Sequence, residues 1–516
     1  MSFSSRRRNY LLTPHRRDGL IEWMKSMLNH SFVLDALETT AADTFSHFEM
    51  LIEEHIRMTN SCSNIISSPS SSSSHTNRPS RLKQVVPTVG TFHTPLPLRK
   101  AFLIYNERYA VTRRRHVCIS FNEIRQILNL AQIMALSSTP SPSSSESKQN
   151  YEGENVSSHP HRSCTFMGPK MITLDGDQTL YADGKNFESN PKLALYLELL
   201  LRQGVIIAVV TAAGYEYQSD KYHVRLSGLL KFFQQRQLPS QYCKNFYLFG
   251  GECNYLLQLQ SDYTLHPMPE YGEDGWFTQT SHVVSESPAN WDESHVQHLL
   301  DVAESAFHES IQELKLRGRI VRKKRSVGLI PLLDEIISRE ALDETVLRVQ
   351  ALLQDNSISL YNLPFCAFNG GKDCWVDIGN KRVGVTVLST FLHIPRSEML
   401  HIGDQFLNTG NDFAARDVCP CVWIINPEET TFILKNILRL GNVSLMDDVA
   451  AHGITTGHDD PTLHLLDSPT NNSASPELAG DSRDDTVNKE SQQVLDFTLM
   501  RKRNLKMDVY TGEISE

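Results

Sequence analysis

Residues 170–181 have the sequence KMITLDGDQTLY, which combines an apolar run with two closely spaced carboxylates. The apolar run Met171–Leu174 predicts a short buried strand. It ends at Asp175 and Asp177, which are separated by a glycine that permits a tight turn. Two carboxylates at the end of a strand are unfavourable unless a cation or a ligand compensates their charge. We therefore interpret the pair as a Mg²⁺ site that acts on a phosphate, with a plain Asp-Gly-Asp turn as the alternative.

A helix and a second strand follow this first strand. Residues 191–202 are rich in leucine and predict a helix, which ends at Gly204. Residues 205–210 form a continuous apolar run, which is typical of a strand buried on both faces, and it ends at Thr211. Such a β-α-β unit places the ends of both strands at one edge of a parallel sheet. Thr211 and the backbone amides near Gly214 could hold phosphate oxygens there, whereas a lone threonine after a strand is otherwise a helix N-cap.

Two later segments add a lysine and further carboxylates. Lys381 follows a predicted strand at 375–378 and lies on a loop or in the first turn of a predicted helix at 382–391, where its ammonium group could neutralise a phosphoryl group and the nucleophile. A lone lysine at a helix start is otherwise solvent-facing. A predicted strand at 398–402 ends at Asp404, and Asp412 lies at the start of a further predicted helix. Asp404 thus lies at the third of these strand ends, and like the first it carries a carboxylate.

The composition limits the class of protein. The 516 residues allow two to four domains, and a hydrophobic content of 40% is enough for a sizeable core. The formal net charge of −10 argues against nonspecific binding to nucleic acid. No apolar run reaches the roughly 18 residues of a membrane span. Nine irregularly spaced cysteines, without a signal-peptide pattern, predict free thiols in a reducing compartment.

Shifts in composition divide the chain into eight predicted segments. They are an N-terminal helical region (1–60), a serine-rich disordered linker (61–81), a second helical region (82–136), a disordered insert (137–163), the first part of the sheet core (164–215), an α/β insertion that covers the sheet edge (216–360), the second part of the core (361–446) and a mostly disordered acidic tail (447–516).

A basic cluster precedes one of the predicted helices of the second helical region. Ser120 and Glu123 form a capping-box pattern for a helix that begins at residue 121. Arg113, Arg114 and His116 lie just before this helix start. Guanidinium groups near a helix N-terminus suit a polyphosphate. A solvated basic turn, or a cluster of salt bridges at an interface, is the alternative.

The joint order of these motifs resembles the haloacid dehalogenase superfamily of phosphohydrolases. Three segments narrow the resemblance: TLDGDQTLYADG at 173–184, FNGGKDCWVDIGNK at 368–381 and GDQFLNTGND at 403–412 are similar to the eukaryotic IMP-specific 5′-nucleotidase family. The similarity extends over most of residues 9–446, without the serine-rich inserts and the tail. It implies an α/β fold with a haloacid-dehalogenase-like Rossmannoid parallel sheet, a large α/β cap inserted between the second and third motifs, and an N-terminal helical regulatory region.

The resemblance also implies a catalytic mechanism. Asp175 attacks the phosphorus of a nucleoside 5′-monophosphate and forms an aspartyl-phosphate. Asp177 protonates the leaving ribose oxygen and then deprotonates the hydrolytic water. Mg²⁺ is held by Asp175, the backbone carbonyl of Asp177 and Asp404, because oxygen ligands suit this ion. Thr211 and Lys381 hold the non-bridging phosphate oxygens.

The substrate and effector sites follow from the same resemblance. Asp412 is expected to orient either the ammonium group of Lys381 or a water molecule on the metal. The residues expected at the nucleotide are Asp177, Asp183, Thr211, Gly214, Asn369, Asp377 and Lys381. ATP is expected as an allosteric activator in a cytoplasmic homotetramer of purine salvage. The residues expected at the ATP site are Arg113, Arg114 and His116.

Two other functions use the same residues or the same fold. A sugar phosphatase or phosphomutase of the superfamily would share the nucleophilic aspartate, so the catalytic residues cannot separate it from a nucleotidase. A non-catalytic nucleotide-binding regulator could retain the fold alone. The complete catalytic set argues against the regulator.

Overall fold

The computed structural model describes residues 18–31, 37–65, 79–138, 166–188, 190–333, 335–355, 362–443, 506–507 and 514–515. Most of the predicted linker, insert and acidic tail lies outside these residues. The chain divides into two compact units, Met1–Leu466 and Asp467–Glu516. The described part of the second unit is one antiparallel pair of short strands.

The strands are numbered in chain order. They are β1 (Met171–Leu174), β2 (Ile206–Val210), β3 (Phe246–Gly250), β4 (Tyr255–Leu259), β5 (Leu265–Pro267), β6 (Gly318–Arg322), β7 (Ser326–Pro331), β8 (Phe365–Asn369), β9 (Cys374–Ile378), β10 (Met399–Gly403), β11 (Cys421–Trp423), β12 (Lys506–Met507) and β13 (Ile514–Ser515).

The helices are also numbered in chain order. They are α1 (Gly19–Ser31), α2 (Leu37–Ile65), α3 (Arg81–Val85), α4 (Leu98–Tyr109), α5 (Phe121–Ser138), α6 (Pro191–Arg202), α7 (Ser219–Arg225), α8 (Ser227–Gln235), α9 (Ser240–Cys243), α10 (Trp276–Thr280), α11 (Glu293–Glu313), α12 (Arg339–Asp355), α13 (Lys381–Phe391) and α14 (Pro427–Leu440). Short 3₁₀ turns occupy Val111–Arg113, Pro288–Asn290, Arg396–Glu398 and Phe413–Asp417.

The main sheet has the strand order β11-β10-β1-β2-β3-β4-β5. The first five of these strands are parallel neighbours, and β4 and β5 continue the sheet as antiparallel strands. β1 is fully buried at the centre. Ile172 and Leu174 pack in one core cluster with residues of α6 and α14, whereas Met171 belongs to a second cluster with residues of α13. Helices therefore cover both faces of the sheet, as the apolar runs of β1 and β2 predict.

A second sheet of four antiparallel strands has the order β6-β7-β9-β8. One of its faces packs in a cluster with residues of α11 and α12. The division of the chain differs from the predicted one at both ends of the insertion. β3, β4 and β5, predicted inside the insertion at 216–360, belong to the main sheet, and β8 and β9, predicted within the core at 361–446, belong to the second sheet. Periodicity identifies a strand but not its partner, which is why the sequence misassigned these strands.

The helices before the main sheet share one apolar cluster. Its members come from α1, α2, α3, α4 and α5, so the two predicted helical regions form one core. The predicted capping box at the start of α5 is present: the Ser120 N–H donates to Glu123 at 2.8 Å, and the Glu123 N–H donates to the Ser120 hydroxyl at 3.2 Å. Arg125 of α5 is buried and contacts Glu429 of α14 through two hydrogen bonds of 3.0 Å. The helical region is thereby joined to the core.

Two further expectations concern thiols and membrane spans. Each cysteine whose side chain the structure describes is a free thiol. Within the described ranges, the helices lack the combined length and apolarity that crossing a membrane requires.

Candidate active site

The predicted functional residues meet at the carboxyl edge of the main sheet. Asp175, Thr211 and Asp404 follow the neighbouring strands β1, β2 and β10 directly. Because parallel strands end at the same edge, their polar ends converge at the place where ligands bind in open α/β sheets. Asp412 precedes a 3₁₀ turn rather than the predicted helix, and Lys381 is the first residue of α13.

Lys381 connects two of the carboxylates. Its Nζ lies 2.8 Å from Asp175 Oδ1 and 2.5 Å from Asp412 Oδ1. The side chain is fully buried, so it is not a solvent-facing residue of a helix start. Asn380 caps α13 by accepting a hydrogen bond of 3.0 Å from the Val383 N–H, which fixes the helix start and therefore Lys381. Burial alone would lower the pKa of Lys381, but Asp175 and Asp412 raise it well above its usual value.

Three carboxylates form the acidic centre of the site. One oxygen each of Asp175, Asp404 and Asp412 lies within 4.8 Å of the other two. Burial raises the pKa of Asp175 to about 8; Lys381 opposes this shift and Asp412 adds to it. Burial also raises the pKa of Asp404 well above its usual value. A cluster of oxygen donors with excess negative charge fits a hard divalent cation such as Mg²⁺.

Asp412 is held from several sides. Its Oδ1 contacts His401 Nε2 at 2.9 Å, and its Oδ2 accepts a hydrogen bond of 2.9 Å from the Gln405 N–H. The Nδ1 of His401 contacts the Thr173 hydroxyl at 2.8 Å, because these two residues are register partners on β10 and β1. Burial alone would raise the pKa of Asp412, but Lys381 and the hydrogen bond from His401 hold it below its usual value.

The side chain of Asp177 has other contacts than the three carboxylates of the acidic centre. It is partly exposed, its Oδ1 accepts a hydrogen bond of 2.9 Å from the Gly184 N–H, and Arg225 lies 3.8 Å away. Burial raises its pKa, although Arg225 and Gly184 oppose the shift. The side chain is not a member of the carboxylate cluster, so its predicted metal contact concerns its backbone carbonyl alone. Arg225 also donates a hydrogen bond of 3.2 Å to the Tyr215 hydroxyl.

Thr211 lies beside the turn between the two aspartates. Its buried hydroxyl accepts a hydrogen bond of 3.1 Å from the Ala213 N–H and so stabilises the turn after β2. It is not the helix N-cap of the alternative interpretation, because the next helix, α7, begins at Ser219. A Cβ at Gly176 would lie 3.2 Å from this hydroxyl and 2.5 Å from the hydroxyl of Tyr181. Gly176 is therefore required by the close approach of these groups. A Cβ at Gly214 would lie 3.3 Å from the Cα of Gly251, so the backbone is close-packed there too.

The predicted nucleotide contacts on the second sheet face different environments. The side-chain amide of Asn369 donates a hydrogen bond of 2.7 Å to Asp343 Oδ1 and accepts one of 2.8 Å from the Gly371 N–H, so both of its polar atoms are engaged. Asp377 is buried, and its Oδ1 has no hydrogen-bond partner among the described residues. Burial, with Glu252 as the next cause, raises the pKa of Asp377 well above its usual value. Asp183 reaches toward the second sheet: a Cβ at Gly371 would lie 3.6 Å from its Oδ2.

The predicted effector residues lie in the helical region before α5. Arg114 forms an ion pair of 2.6 Å with Glu123, which belongs to the capping box. Arg113 and His116 are exposed. The salt bridge corresponds in part to the alternative interpretation of this basic cluster.

Three side chains of the site are absent from the sequence prediction. His401 and Thr173 are polar residues inside otherwise apolar strands, which is a signal in the sequence, but their contact depends on the register of β1 and β10. Arg225 is the last residue of α7. Its approach to Asp177 depends on how α7 packs, for which the sequence carries no local signal.

The comparison with known proteins identifies the family. A sequence profile described as IMP-specific 5′-nucleotidase matches residues 2–434. This chain belongs to the IMP-specific 5′-nucleotidase family. The IMP-specific 5′-nucleotidase 1 of Neurospora crassa is 36% identical over 468 residues, which cover 84% of this chain and 97% of the relative. The IMP-specific 5′-nucleotidase 1 of Plasmodium falciparum is 37% identical over 381 residues, which cover 72% of this chain and 76% of the relative.

Solved structures of a family member agree with the fold. An IMP-bound mutant of the Plasmodium falciparum IMP-nucleotidase matches with a TM-score of 0.67 and 33% identity, covering 82% of this chain and 94% of the other. An ATP-bound structure of that enzyme matches with a TM-score of 0.64 and 33% identity, covering 83% and 86%. The predicted resemblance and the α/β class with a mainly parallel sheet are thus confirmed. The chain is a member of a family of nucleotide-hydrolysing enzymes.

Proposed function

We propose that this chain hydrolyses inosine 5′-monophosphate to inosine and inorganic phosphate through a phosphorylated Asp175. The observation that carries the proposal is the buried Lys381 between Asp175 and Asp412, beside Asp404, at the carboxyl edge of the sheet. Membership of the IMP-specific 5′-nucleotidase family supports the substrate.

In the first step, a carboxylate oxygen of Asp175 attacks phosphorus, and the bond between phosphorus and the ribose 5′-oxygen breaks. The Oδ1 of Asp175 accepts hydrogen bonds from Lys381 and, at 2.7 Å, from the Gly176 N–H. These contacts orient the carboxylate and leave Oδ2 to attack. Lys381 and the hydroxyl of Thr211 hold the non-bridging oxygens, where negative charge must be stabilised.

Asp177 transfers the protons of both steps. It donates a proton to the leaving 5′-oxygen, and its raised pKa keeps that proton in place at higher pH than for an ordinary carboxyl group. It then accepts a proton from the water whose oxygen attacks phosphorus and breaks the bond to Asp175. The hydrogen bond from Gly184 fixes one of its oxygens, while its partial exposure leaves the group accessible to water.

The metal site that we propose consists of Asp175, Asp404 and the backbone carbonyl of Asp177. Asp412 is less suited as a ligand, because Lys381 and His401 contact its Oδ1 and the Gln405 N–H contacts its Oδ2. Mg²⁺ bound there would supply the positive charge that lets buried carboxylates remain ionised beside an anionic substrate.

The remaining proposals concern the nucleoside, the effector and the assembly. Asp183, Gly214, Asn369 and Asp377 are proposed to approach the nucleotide. The ATP-bound structure of the Plasmodium falciparum relative supports ATP as a ligand. We place its effector site at the cluster of Arg113, Arg114 and His116. A cytoplasmic homotetramer that acts in purine salvage completes the proposal.

The test measures phosphate release from IMP, GMP, AMP and hexose phosphates, with and without Mg²⁺ and ATP. The proposal expects IMP to be preferred, release to stop in EDTA, and ATP to raise the rate. A preference for hexose phosphates would instead support a sugar phosphatase of the same superfamily. Absence of hydrolysis of every substrate by folded protein with Mg²⁺ would support a non-catalytic regulator.

A further inference from the structure

Glu252 is a buried acid that has no role in the mechanism above. It follows β3, its side chain is fully buried, and its Oε1 accepts a hydrogen bond of 2.9 Å from the side-chain amide of Asn411. Its Oε2 has no hydrogen-bond partner among the described residues. Asn411 immediately precedes Asp412 in the chain. A buried acid with one engaged oxygen is costly to fold, so its presence beside this loop calls for an explanation.

The backbone around Glu252 is strained. Gly251, Glu252 and Cys253 have φ values of +62°, +50° and +74°, so three consecutive residues adopt the left-handed conformation. This conformation is unfavourable for residues other than glycine, because the Cβ comes too close to the backbone. Such strain persists only where the surroundings fix it, and it is concentrated at functional sites. Glycine or asparagine would fit position 252 better by backbone preference alone.

The strained turn is attached to the ends of two elements of the active site. The Glu252 N–H donates 3.1 Å to the carbonyl of Thr211. The Asn254 amide donates 2.7 Å to the carbonyl of Ile378, three residues before Lys381. The carbonyl of Glu252 also packs against Gly379, where no Cβ would fit. The backbone of the turn therefore fixes the position from which the Glu252 side chain reaches Asn411.

We propose that Glu252 is a positioning residue of the hydrolytic site. Its carboxyl group holds Asn411, and through Asn411 it fixes the Asp412 carboxylate that keeps Lys381 against Asp175. The role rests on the proposed phosphatase function and extends it to a residue outside the motifs. Glu252 acts on Asp175 through the loop and Lys381 and is not among the residues proposed at the nucleotide, so we expect its loss to change kcat more than KM.

Substitutions separate the hydrogen bond from the bulk and the charge of Glu252. Glu252→Ala removes the acceptor and keeps the backbone, so we expect kcat for IMP to fall about 10- to 100-fold with KM changed less than about threefold. Glu252→Gln retains an amide oxygen for Asn411 and loses no hydrogen bond at Oε2. We therefore expect Glu252→Gln to recover kcat to within about fivefold of the wild type.

Asn411→Ala tests the same contact from the other side. It should reproduce the loss of Glu252→Ala, and the double variant should be no slower than either single variant, because one interaction is removed in all three. The matched control is Glu198→Gln. Glu198 is another fully buried glutamate and lies outside the site, where it forms ion pairs with Arg202 of α6 and with Arg236 at the end of α8. This control should lower the thermal midpoint and leave kcat unchanged.

Circular dichroism and the thermal midpoint establish whether each variant is folded. If Glu252→Ala does not fold, the kcat values of Asn411→Ala and Glu252→Gln test the proposal instead. Four results would each overturn the proposal. They are a wild-type kcat in Asn411→Ala, a change in KM without a change in kcat, additive losses of kcat in the double variant, and equal losses of kcat in Glu252→Ala and Glu252→Gln. The same kcat comparison is made with p-nitrophenyl phosphate. A wild type that hydrolyses this ester but not IMP contradicts the proposed substrate, while the Glu252 variants still test the positioning role.

Discussion

The substitution Asp175→Asn should end turnover and at the same time stabilise the metal-free protein. The amide oxygen can still accept the 2.8 Å hydrogen bond from Lys381, so the local packing is retained. The amide cannot form the aspartyl-phosphate, and loss of a nucleophile typically lowers kcat by about 10⁴-fold or more. Asp175→Asn therefore has opposite expected effects on turnover and on the stability of the metal-free protein.

The magnitude follows from the pKa of the buried carboxyl group. Burial raises the pKa of Asp175 from 3.8 to about 8, so the folded chain binds a proton that the unfolded chain has lost between these values. Stability therefore falls as pH rises through this interval, by at most about 1.4 kcal/mol per pH unit. At pH 7 the upper limit is roughly 4 kcal/mol, and Asn removes this penalty, so we expect a gain of about 1 to 4 kcal/mol.

The assay is thermal and urea unfolding in EDTA at pH 5.5, 7 and 8, together with phosphate release in Mg²⁺. The gain from Asp175→Asn should grow from pH 5.5 to pH 8. Asp412→Asn is the matched control with the opposite sign, because Lys381 and His401 hold the pKa of Asp412 below its usual value. That carboxylate contributes stability above the unfolded pKa, and the contribution is lost as pH falls.

Asp412→Asn should therefore lower the free energy of unfolding at pH 7, by about 3 to 5 kcal/mol if removal of a buried partner has its usual cost. The reasoning is refuted if Asp175→Asn releases phosphate at a rate within about tenfold of the wild type. It is equally refuted if Asp175→Asn unfolds at a lower midpoint than the wild type in EDTA.

Three further predictions concern proton transfer and the effector. Asp177→Asn should lower kcat by about 10²- to 10⁴-fold and remove the decline of kcat/KM at high pH, measured from pH 5 to 9; a decline that persists in the variant contradicts the acid role. Arg225→Met removes a charge that lowers the pKa of Asp177, so that decline should move to higher pH, and an unmoved profile would exclude the influence of Arg225. Arg114→Ala with His116→Ala should remove the activation by ATP and keep the basal rate of IMP hydrolysis, and an unaltered ATP response would rule out this effector site.

The ends of the main strands could be predicted from the sequence because each signal is local. Asp175, Thr211 and Asp404 each follow an apolar run long enough for a buried strand, and parallel strands bring such ends together. For Lys381 the position at a helix start is by itself compatible with a solvent-facing side chain, and the catalytic role is implied by the family resemblance. Its burial between two carboxylates agrees with the interpretation as a charge partner.

Contacts that depend on register or on packing could not be predicted. His401 reaches Thr173 because β10 lies beside β1 in one register, and a shift by one residue would turn it to the other face. Glu252 reaches Asn411 through a left-handed turn, which the sequence Gly251-Glu252-Cys253 does not announce, since only its first residue favours that conformation. The sequence also placed β3 wrongly in the insertion, because its pairing with β2 in the main sheet depends on packing and not on a local signal.

The charge balance of the site explains why its chemistry and its folding penalty have one source. Lys381 is shared between Asp175 and Asp412, and its charge does not bring the pKa of Asp175 back to that of an ordinary carboxyl group. At neutral pH the side chains alone therefore leave the nucleophile largely protonated, and a protonated carboxyl group does not attack phosphorus. A cation beside Asp404 would remove the proton from Asp175 and admit an anionic phosphate in the same place. The burial that makes Asp175 costly to fold thus also makes its reactivity conditional on that cation, which is why one substitution should end the reaction and stabilise the fold.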